Sequence, residues 1–411
     1  MKHIQQKHLE RYADLLLEVG LNVQKGDKIK VGVSPQTLEF VRAVDERAWK
    51  LGAVDVHHSF QDSELTKNFY NYASDEAIEW YPEYEVVHQE EMFKAGYHVL
   101  GMSAPNPLAL KSVDPKVIGR RQAVVSPKTK RLMKYTMENR NKWCVAIVPT
   151  QEWADAVFPG DPDALTKLTD LWVKMYRLDE DNCVELWREH NRKLKAREAW
   201  LNEMDFDYLI YEAPGTDLTV GLAKGHRWIG GSSNLKGSGE EFMANMPTEE
   251  VFTMPDKYRI DGTLKATKAL NVRGKIVDGM RFVFKGGRLE SFEATENYEV
   301  LEDLLNTDEN ARRLGEVAIV SVDSPINQAG VLFLNTLLDE NASCHFAFGN
   351  AYAENLPGSE NFDEAQQDKA GMNDSAIHVD FMVGSDKLNI IGVKKDGTRV
   401  DVLKNGEFVG K

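Results

Sequence analysis

The residues from 376 to 383 have a spacing that could bind metal. The sequence reads AIHVDFMV, and its apolar residues alternate with the others. Such alternation predicts a β-strand, which places His378 and Asp380 side by side on the face opposite the apolar side chains. Imidazole and carboxylate ligands in this arrangement suit a divalent metal ion. For this segment alone, a half-exposed strand with a polar outer face is the more common explanation.

A second strand with a ligand-type residue is predicted from SCHFAFG, which starts at position 343. Its cysteine and two phenylalanines alternate toward one side, so His345 points to the other side beside the small residues Ala347 and Gly349. Small neighbours leave room for a metal ion or a substrate. Glu340 lies just upstream and Tyr352 just downstream. The alternative for this segment alone is a strand histidine that is bonded to a backbone carbonyl.

Two further segments supply acidic residues. Glu316 begins the otherwise apolar run EVAIV. If that strand is central, the carboxylate must be paired, metal-bound or protonated, because an isolated buried charge is costly; otherwise Glu316 lies at an exposed strand end. The run MPTEEVFTMP contains Glu249 and Glu250, which alternation places on opposite faces. One glutamate can then face a site, and a solvated acidic loop is the alternative.

These segments together supply two histidines and at least three carboxylates within the C-terminal half of the chain. This is the ligand inventory of a two-metal hydrolase, in which a bridging carboxylate holds ions ~3.5–4 Å apart. Other catalytic motifs are missing from the sequence. HExxH and GxSxG do not occur, and the glycine-rich run from 225 to 239 lacks the GK[ST] ending of a phosphate-binding loop.

The order of predicted elements indicates two domains. In the first ~200 residues, four predicted strands alternate with helices, one of which is expected to begin at Ser34 as its N-cap, and this order is typical of βαβ units. The later residues predict strands with hairpin turns and a few helices, including one over 308–314 capped by Thr307. We therefore expect an α/β N-terminal domain over residues 1–197 with a mostly parallel sheet. An α+β catalytic domain over residues 198–411 with a largely antiparallel sheet should follow.

Composition narrows the functional class. The 411 residues contain 50 Lys and Arg against 65 Asp and Glu, which gives a formal net charge of −15. Such a chain repels phosphate backbones and anionic lipids, so we expect no nucleic-acid or membrane partner. The three cysteines are widely spaced, which argues against a disulfide framework. The first 20 residues lack the apolar run of a signal peptide, and a cytoplasmic location is expected.

The joint presence and order of NMPTEEVFT, GEVAIV, LLDENASCHFAFGNAY and IHVDFM resemble the aminopeptidase T and aminopeptidase S (PepS-like) family of dinuclear metallo-aminopeptidases. The resemblance extends over essentially the whole chain, with the distinctive motifs between residues 246 and 382. It implies two divalent ions per chain, zinc or cobalt, with manganese or magnesium as alternatives. The implied metal-binding residues are Glu250, Glu316, His345, His378 and Asp380, with Glu340 as a further ligand or an outer acid.

The resemblance also implies an activity. A water molecule activated by two metal ions would remove N-terminal residues from short peptides, and a homodimer with the N-terminal domain forming dimer and cavity walls would limit substrate length. Tyr352 would stabilise the oxyanion, and Glu249 is the predicted catalytic carboxylate, with Glu250 and Glu340 as alternatives. Two other functions use the same residues: a dinuclear phosphoesterase, and a catalytically inactive peptide-binding homologue.

Overall fold

The computed structural model describes residues 3–272 and 275–410. The chain divides into two compact units, one formed by residues 1–189 and 232–247 and the other by residues 190–231 and 248–411. The division at 197/198 that the sequence suggests stays a prediction.

The elements of the first 175 residues alternate between helix and strand. They are α1 (Gln6–Leu15), a π-helical turn (Leu16–Gly20), β1 (Lys28–Val33), α2 (Leu38–Leu51), β2 (Asp55–Phe60), α3 (Ser63–Tyr72), α4 (Asp75–Ile78), α5 (Glu83–Lys94), β3 (Tyr97–Ser103), α6 (Pro115–Met137), β4 (Trp143–Ile147), α7 (Gln151–Val157) and α8 (Ala164–Met175). The long helix α9 (Cys183–Met204) follows.

The remaining elements are mainly strands. They are β5 (Tyr208–Ala213), β6 (Thr216–Leu222), β7 (Ile229–Gly230), β8 (Ser233–Asn234), β9 (Glu241–Phe242), β10 (Glu250–Thr253), β11 (Pro255–Lys265), β12 (Leu270–Val272), β13 (Lys275–Val277), β14 (Arg281–Lys285), β15 (Arg288–Glu293), α10 (Tyr298–Leu305), β16 (Leu314–Val320), α11 (Pro325–Gln328), α12 (Thr336–Asn341), β17 (His345–Gly349), α13 (Glu364–Lys369), β18 (His378–Met382), β19 (Asn389–Val393), β20 (Arg399–Lys404) and β21 (Glu407–Phe408). Short 3-10 helices lie at Glu309–Arg312, Ala353–Asn355 and Ser359–Asn361.

The first unit is built on a four-stranded parallel sheet with the order β2-β1-β3-β4. Helices connect its strands, as parallel pairing requires. Strand residues such as Val31, Leu100 and Ala146 are fully buried. The expected α/β fold of the N-terminal region is therefore confirmed.

One helix start in this unit differs from the sequence prediction. Helix α2 begins at Leu38 with Thr37 before it, so Ser34 is not its N-cap. The Thr37 hydroxyl accepts a hydrogen bond from the backbone N–H of Ser34 at 2.8 Å, and the backbone N–H of Thr37 donates to the Ser34 carbonyl at 3.1 Å. These bonds close a turn ahead of the helix, which delays the first helical residue.

The second unit contains two larger antiparallel sheets. One has the order β15-β14-β11-β6-β5-β19-β20-β21 and the other the order β18-β17-β16-β10-β7. Aromatic rings from the two sheets meet in one core: Tyr211 lies 5.0 Å from Phe346 and Phe282 lies 4.9 Å from Phe381, measured between ring centroids. The sheets thus pack face to face, and the expected α+β region with a largely antiparallel sheet is confirmed.

The prediction of a helix over 308–314 is wrong, and the difference affects the position of Glu316. Asp308, not Thr307, caps a short 3-10 helix, because its carboxylate accepts hydrogen bonds from the backbone N–H groups of Asn310 at 2.9 Å and Ala311 at 2.8 Å. Strand β16 then begins at Leu314, and all of its residues are buried. Glu316 therefore lies within a buried strand.

Among the helices of the described residues, none combines the length and the apolar character needed to cross a membrane.

Candidate metal centre

Four neighbouring strands of the five-stranded sheet place ligand-type side chains on one face. Strand pairing sets Glu316 opposite Ala347, and Ala347 opposite Asp380, in one row across β16, β17 and β18. The next row contains His345, paired with Ala318 on one side and Met382 on the other. Residues directly opposite each other in antiparallel strands point to the same face. The alanines therefore leave open space between the acidic and imidazole groups.

The outer strands complete this face. Glu250 of β10 is paired with Val320, two residues beyond Ala318 along β16, so it points to the same side. His378 is paired with Gly349, two residues along β17 from Ala347. The opposite face of these strands carries the apolar residues of the core, including Val317, Cys344, Phe346, Phe348, Phe381 and Val383. The alternation seen in the sequence thus separates the core from the candidate site.

Two groups of potential ligands form on this face, and both contain Glu316. In the first group, His345 Nε2 lies 3.2 Å from Glu250 Oε2 and 3.4 Å from Glu316 Oε1. In the second, His378 Nε2 lies 3.3 Å from Asp380 Oδ1 and 3.8 Å from Glu316 Oε2. Within each group the ligand atoms all lie within 4.8 Å of one another. The two oxygens of Glu316 thus face different groups, which is the position of a bridging carboxylate.

Each histidine of the cluster is oriented by a backbone carbonyl. His345 Nδ1 lies 3.0 Å from the carbonyl oxygen of Ser343, and His378 Nδ1 lies 2.8 Å from that of Asn350. A carbonyl only accepts, so each Nδ1 carries the proton and donates. In the neutral ring, the Nε2 lone pair then points at the carboxylates. Metal-binding histidines commonly have this arrangement, in which the second ring nitrogen donates to a fixed acceptor.

The donor set fits divalent cations. Glu250 Oε2 and Asp380 Oδ1 are buried and have no hydrogen-bond partner among the described residues, although an imidazole nitrogen is within 3.3 Å of each. Carboxylate oxygens that are buried without a donor are costly unless a cation neutralises them. Three carboxylates and two imidazoles around common centres satisfy borderline divalent ions such as zinc.

Proton affinities in the cluster reflect the same crowding of charge. Burial lowers the pKa of His345, but the neighbouring Glu250 and Glu316 outweigh it and raise that pKa well above 6.5. Burial also lowers the pKa of His378, but the nearby Asp380 and Glu316 outweigh this effect and raise that pKa to about 9. Burial raises the pKa of Glu316, and the histidines only partly offset this rise. Without a metal ion, protons therefore supply the positive charge of the cluster.

Glu340 and Tyr352 lie close enough to the cluster to interact with its charges. Burial and the negative charges of Asp380, Glu250 and Glu316 raise the pKa of Glu340 well above its ordinary value. Burial and nearby carboxylates also raise the pKa of Tyr352, so its hydroxyl stays protonated. The Tyr352 ring centroid is 4.6 Å from that of His378. A protonated hydroxyl and a carboxyl group with high proton affinity therefore border the two groups of ligands.

Glu249 is placed differently from the other predicted site residues. It is buried, and its Oε2 lies 3.3 Å from Nε2 of His190, a residue of helix α9. Neither group of potential metal ligands includes it. The structure therefore brings together Glu250, Glu316, His345, His378 and Asp380, with Glu340 and Tyr352 beside them, and it places the carboxylate of Glu249 against α9.

Several residues of this region were not identified from the sequence. The carbonyl acceptors of Ser343 and Asn350 have no sequence signal, because every residue has a carbonyl. Glu354, two residues after Tyr352, is exposed over part of its surface. Desolvation of its carboxyl group and the charge of Glu316 raise its pKa to about 6. His190 lies in the charged helix α9, and only its contact with the segment before β10 reveals its position.

The chain also matches known proteins over nearly its whole length. Residues 5–408 match the family model described as Peptidase_M29, thermophilic metalloprotease (M29). Aminopeptidase 2 of Geobacillus stearothermophilus is 40% identical over 405 residues, covering 98% of each chain. Aminopeptidase AmpS of Bacillus subtilis (strain 168) is 40% identical over 402 residues, covering 97% of this chain and 98% of the relative.

A solved structure agrees with these sequence relatives. The wild-type AmpT structure from Thermus thermophilus has a TM-score of 0.92 at 37% identity and covers 98% of this chain and 99% of that one. The resemblance to aminopeptidases T and S is confirmed by these matches. The chain belongs to the peptidase M29 family of thermophilic metalloproteases.

Proposed function

We propose that this metal-dependent aminopeptidase uses two divalent cations, zinc or cobalt, to remove N-terminal residues from short peptides. The observation that carries the proposal is the position of Glu316, whose two carboxylate oxygens face separate groups of potential ligands. The printed names of the relatives, aminopeptidase 2 and aminopeptidase AmpS, support peptide cleavage from the amino end.

The proposed ligands follow the two groups. Glu250, Glu316 and His345 would hold one ion, and Glu316, His378 and Asp380 the other. When bound, two such ions supply the Lewis acidity that makes hydroxide available near neutral pH and polarises the substrate carbonyl. The protein contributes fixed ligand geometry, because the Ser343 and Asn350 carbonyls orient both imidazoles.

Tyr352 is the proposed donor to the oxyanion that develops on the peptide carbonyl. Its hydroxyl remains protonated because burial and carboxylates raise its pKa. The ring is supported on two sides, by His378 at 4.6 Å and by Phe252 at 6.1 Å between ring centroids. A donor held in position before the reaction stabilises the transition state more than the substrate.

Glu340 has one of two proposed roles, as a further ligand or as the carrier of the proton that reaches the leaving amine. Its raised pKa and its interaction with Glu250 and Asp380 fit either role. Glu340→Gln distinguishes them: loss of metal assigns Glu340 as a ligand, and full metal content with slow turnover assigns it as the proton carrier. The catalytic role of Glu249 stays a prediction.

We propose further that the enzyme cleaves only peptides with a free amino end. One ion and the neighbouring carboxylates would bind the substrate amino group, so that cleavage occurs at the first peptide bond. The direct test measures the cleavage of leucine p-nitroanilide, its N-acetyl derivative and p-nitrophenyl phosphate. Each substrate is assayed with untreated protein, with exhaustively chelated protein, and with chelated protein to which Zn²⁺ or Co²⁺ has been added back. Metal-dependent cleavage of only the free amine supports the proposal. Cleavage of only the phosphate ester would assign a phosphoesterase, and no cleavage by metal-loaded protein would assign a binding protein.

We also propose a cytoplasmic homodimer, with the N-terminal domain forming dimer and cavity walls. The three cysteines, Cys144, Cys183 and Cys344, are free and buried, which suits a reducing compartment. Light scattering coupled to size-exclusion chromatography tests the dimer. A monomer at micromolar concentration would contradict it, and cell fractionation tests the location.

A further inference from the structure

The segment before Glu250 is held by a histidine from outside the sheet. His190 Nε2 lies 2.9 Å from the carbonyl oxygen of Thr248 and 3.3 Å from Glu249 Oε2. Both oxygens accept, so Nε2 carries a proton and donates toward the two of them. The side chains of His190 and Glu249 are mostly buried, with exposed fractions of 12% and 7%. One N–H thus contacts the two residues immediately before the proposed ligand.

A second contact fixes the same segment through its backbone. The N–H of Glu249 donates to Asn341 Oδ1 at 2.7 Å. Asn341 is fully buried at the end of α12, and its own Nδ2 donates to the Leu337 carbonyl at 2.9 Å. Residue 249 is therefore held by its main chain on α12 and by its side chain on α9.

Glu249 is a buried acidic residue that needs compensating groups nearby. A carboxylate at this burial is costly unless donors or positive charges compensate it. Arg197, seven residues after His190 on the same helix, interacts with the charges of Asp323 and Glu249. Residues seven apart lie on one face of a helix. The positive charge of Arg197 thus helps to compensate the carboxylate that His190 contacts.

Glu250 depends on this segment for its orientation. Strand β10 begins at Glu250, so the preceding two residues set the direction in which the strand starts. Glu250 Oε2 is buried without a hydrogen-bond partner among the described residues. Because Glu250 is the first residue of β10, a displacement of the backbone there moves its carboxylate relative to His345.

We propose that His190 is a positioning residue for the metal ligand Glu250, acting through Thr248 and Glu249. The inference rests on the proposed metal centre. Loss of the His190 N–H removes the contact from α9 to Thr248 and Glu249, while the contact from Asn341 remains. The Glu250 carboxylate then spends less time in the position that binds metal. Partners that orient metal ligands typically contribute about 10- to 100-fold in metal affinity.

The test compares two substitutions of His190 in the full chain. Phe keeps the ring but removes the donor, whereas the Gln side-chain amide can donate to the same two oxygens. Metal-free protein is titrated with Co²⁺, which reports both affinity and, through its visible absorption, ligand geometry. We expect His190→Phe to weaken Co²⁺ binding about 10- to 100-fold and to change the Co²⁺ spectrum. His190→Gln should restore both toward wild type.

A matched control and a folding check keep the result interpretable. His88 is an exposed histidine on helix α5 of the first unit, and His88→Phe makes the same chemical change in that unit. It should leave Co²⁺ binding unchanged. If His190→Phe does not fold, His190→Asn, whose amide is too short to reach both oxygens, replaces it. Unaltered affinity and spectrum in whichever of these two variants folds would overturn the proposal. A wild-type chain that binds no Co²⁺ would instead overturn the metal centre.

Discussion

Metal binding at pH 7 should release at least two protons per chain, about one from each of His345 and His378, and this number follows from the crowded charges of the site. The pKa of His378 is raised to about 9, and that of His345 lies well above 6.5. At pH 7 a histidine with a pKa of about 9 is about 99% protonated, whereas an ordinary histidine is only about one quarter protonated. Both must be neutral to bind metal.

The affinity of the site for metal should increase with pH. A raised pKa means that protons occupy the metal-free site at neutral pH and compete with the cation. For His378 alone, displacing the proton at pH 7 costs about 3 kcal/mol, or about 100-fold in affinity. Affinity should therefore rise as pH increases from 7 toward about 9, where His378 becomes neutral.

Calorimetry measures the number of protons released. Zn²⁺ is titrated into metal-free protein at pH 7 in buffers of different ionisation enthalpy, and the slope of the observed heat against that enthalpy gives the number. Two perturbed histidines release about two protons, and two ordinary ones about half a proton. His378→Gln should reduce the number by about one. A value near half a proton for wild type would refute the account of the charges.

Three substitutions test individual residues. Glu316→Gln removes the carboxylate shared by both groups, so metal content and peptide cleavage should both be lost while the circular dichroism spectrum remains that of a folded chain; full metal with retained turnover would remove Glu316 from the site. Tyr352→Phe should keep metal and lower the turnover rate about 10²- to 10³-fold, the usual effect of losing one oxyanion donor. An unchanged rate would exclude the hydroxyl from the mechanism. Ala347→Leu fills the space between Glu316 and Asp380 in their row, so metal analysis should show less bound ion than in Ala347→Ser. Equal metal content in the two variants would mean that metal binds away from this face.

The strand faces were predictable because side-chain alternation is a local property. The apolar residues around His345 and His378 point into the core, and the histidines point to the other face, as their sequences indicate. The fold class was predictable for the same reason, since helices between strands favour parallel pairing and short turns favour antiparallel pairing.

Strand register was not predictable. The approach of Glu250 to His345 depends on which residues of β10, β16 and β17 are paired, and these strands are far apart in sequence. The burial of Glu316 was equally uncertain, because an acidic residue near a strand end can be exposed or buried. In the structure, Asp308 caps a short 3-10 helix, β16 begins at Leu314, and Glu316 is buried two residues later.

The position of Glu249 shows a second limit. Alternation separates it correctly from its neighbour Glu250, but it does not say which of the two faces the ligands. His190 contacts Glu249 from a helix whose charged sequence resembles a solvent-exposed connector. Only tertiary packing shows that one face of that helix is turned toward buried acceptors.

Anomalous diffraction from crystals loaded with zinc or cobalt would test the central claim most directly. Two peaks are expected in each chain, one within coordinating reach of Glu250, Glu316 and His345 and the other within reach of Glu316, His378 and Asp380. Peaks elsewhere in the chain, or none at this face in fully active protein, would contradict it.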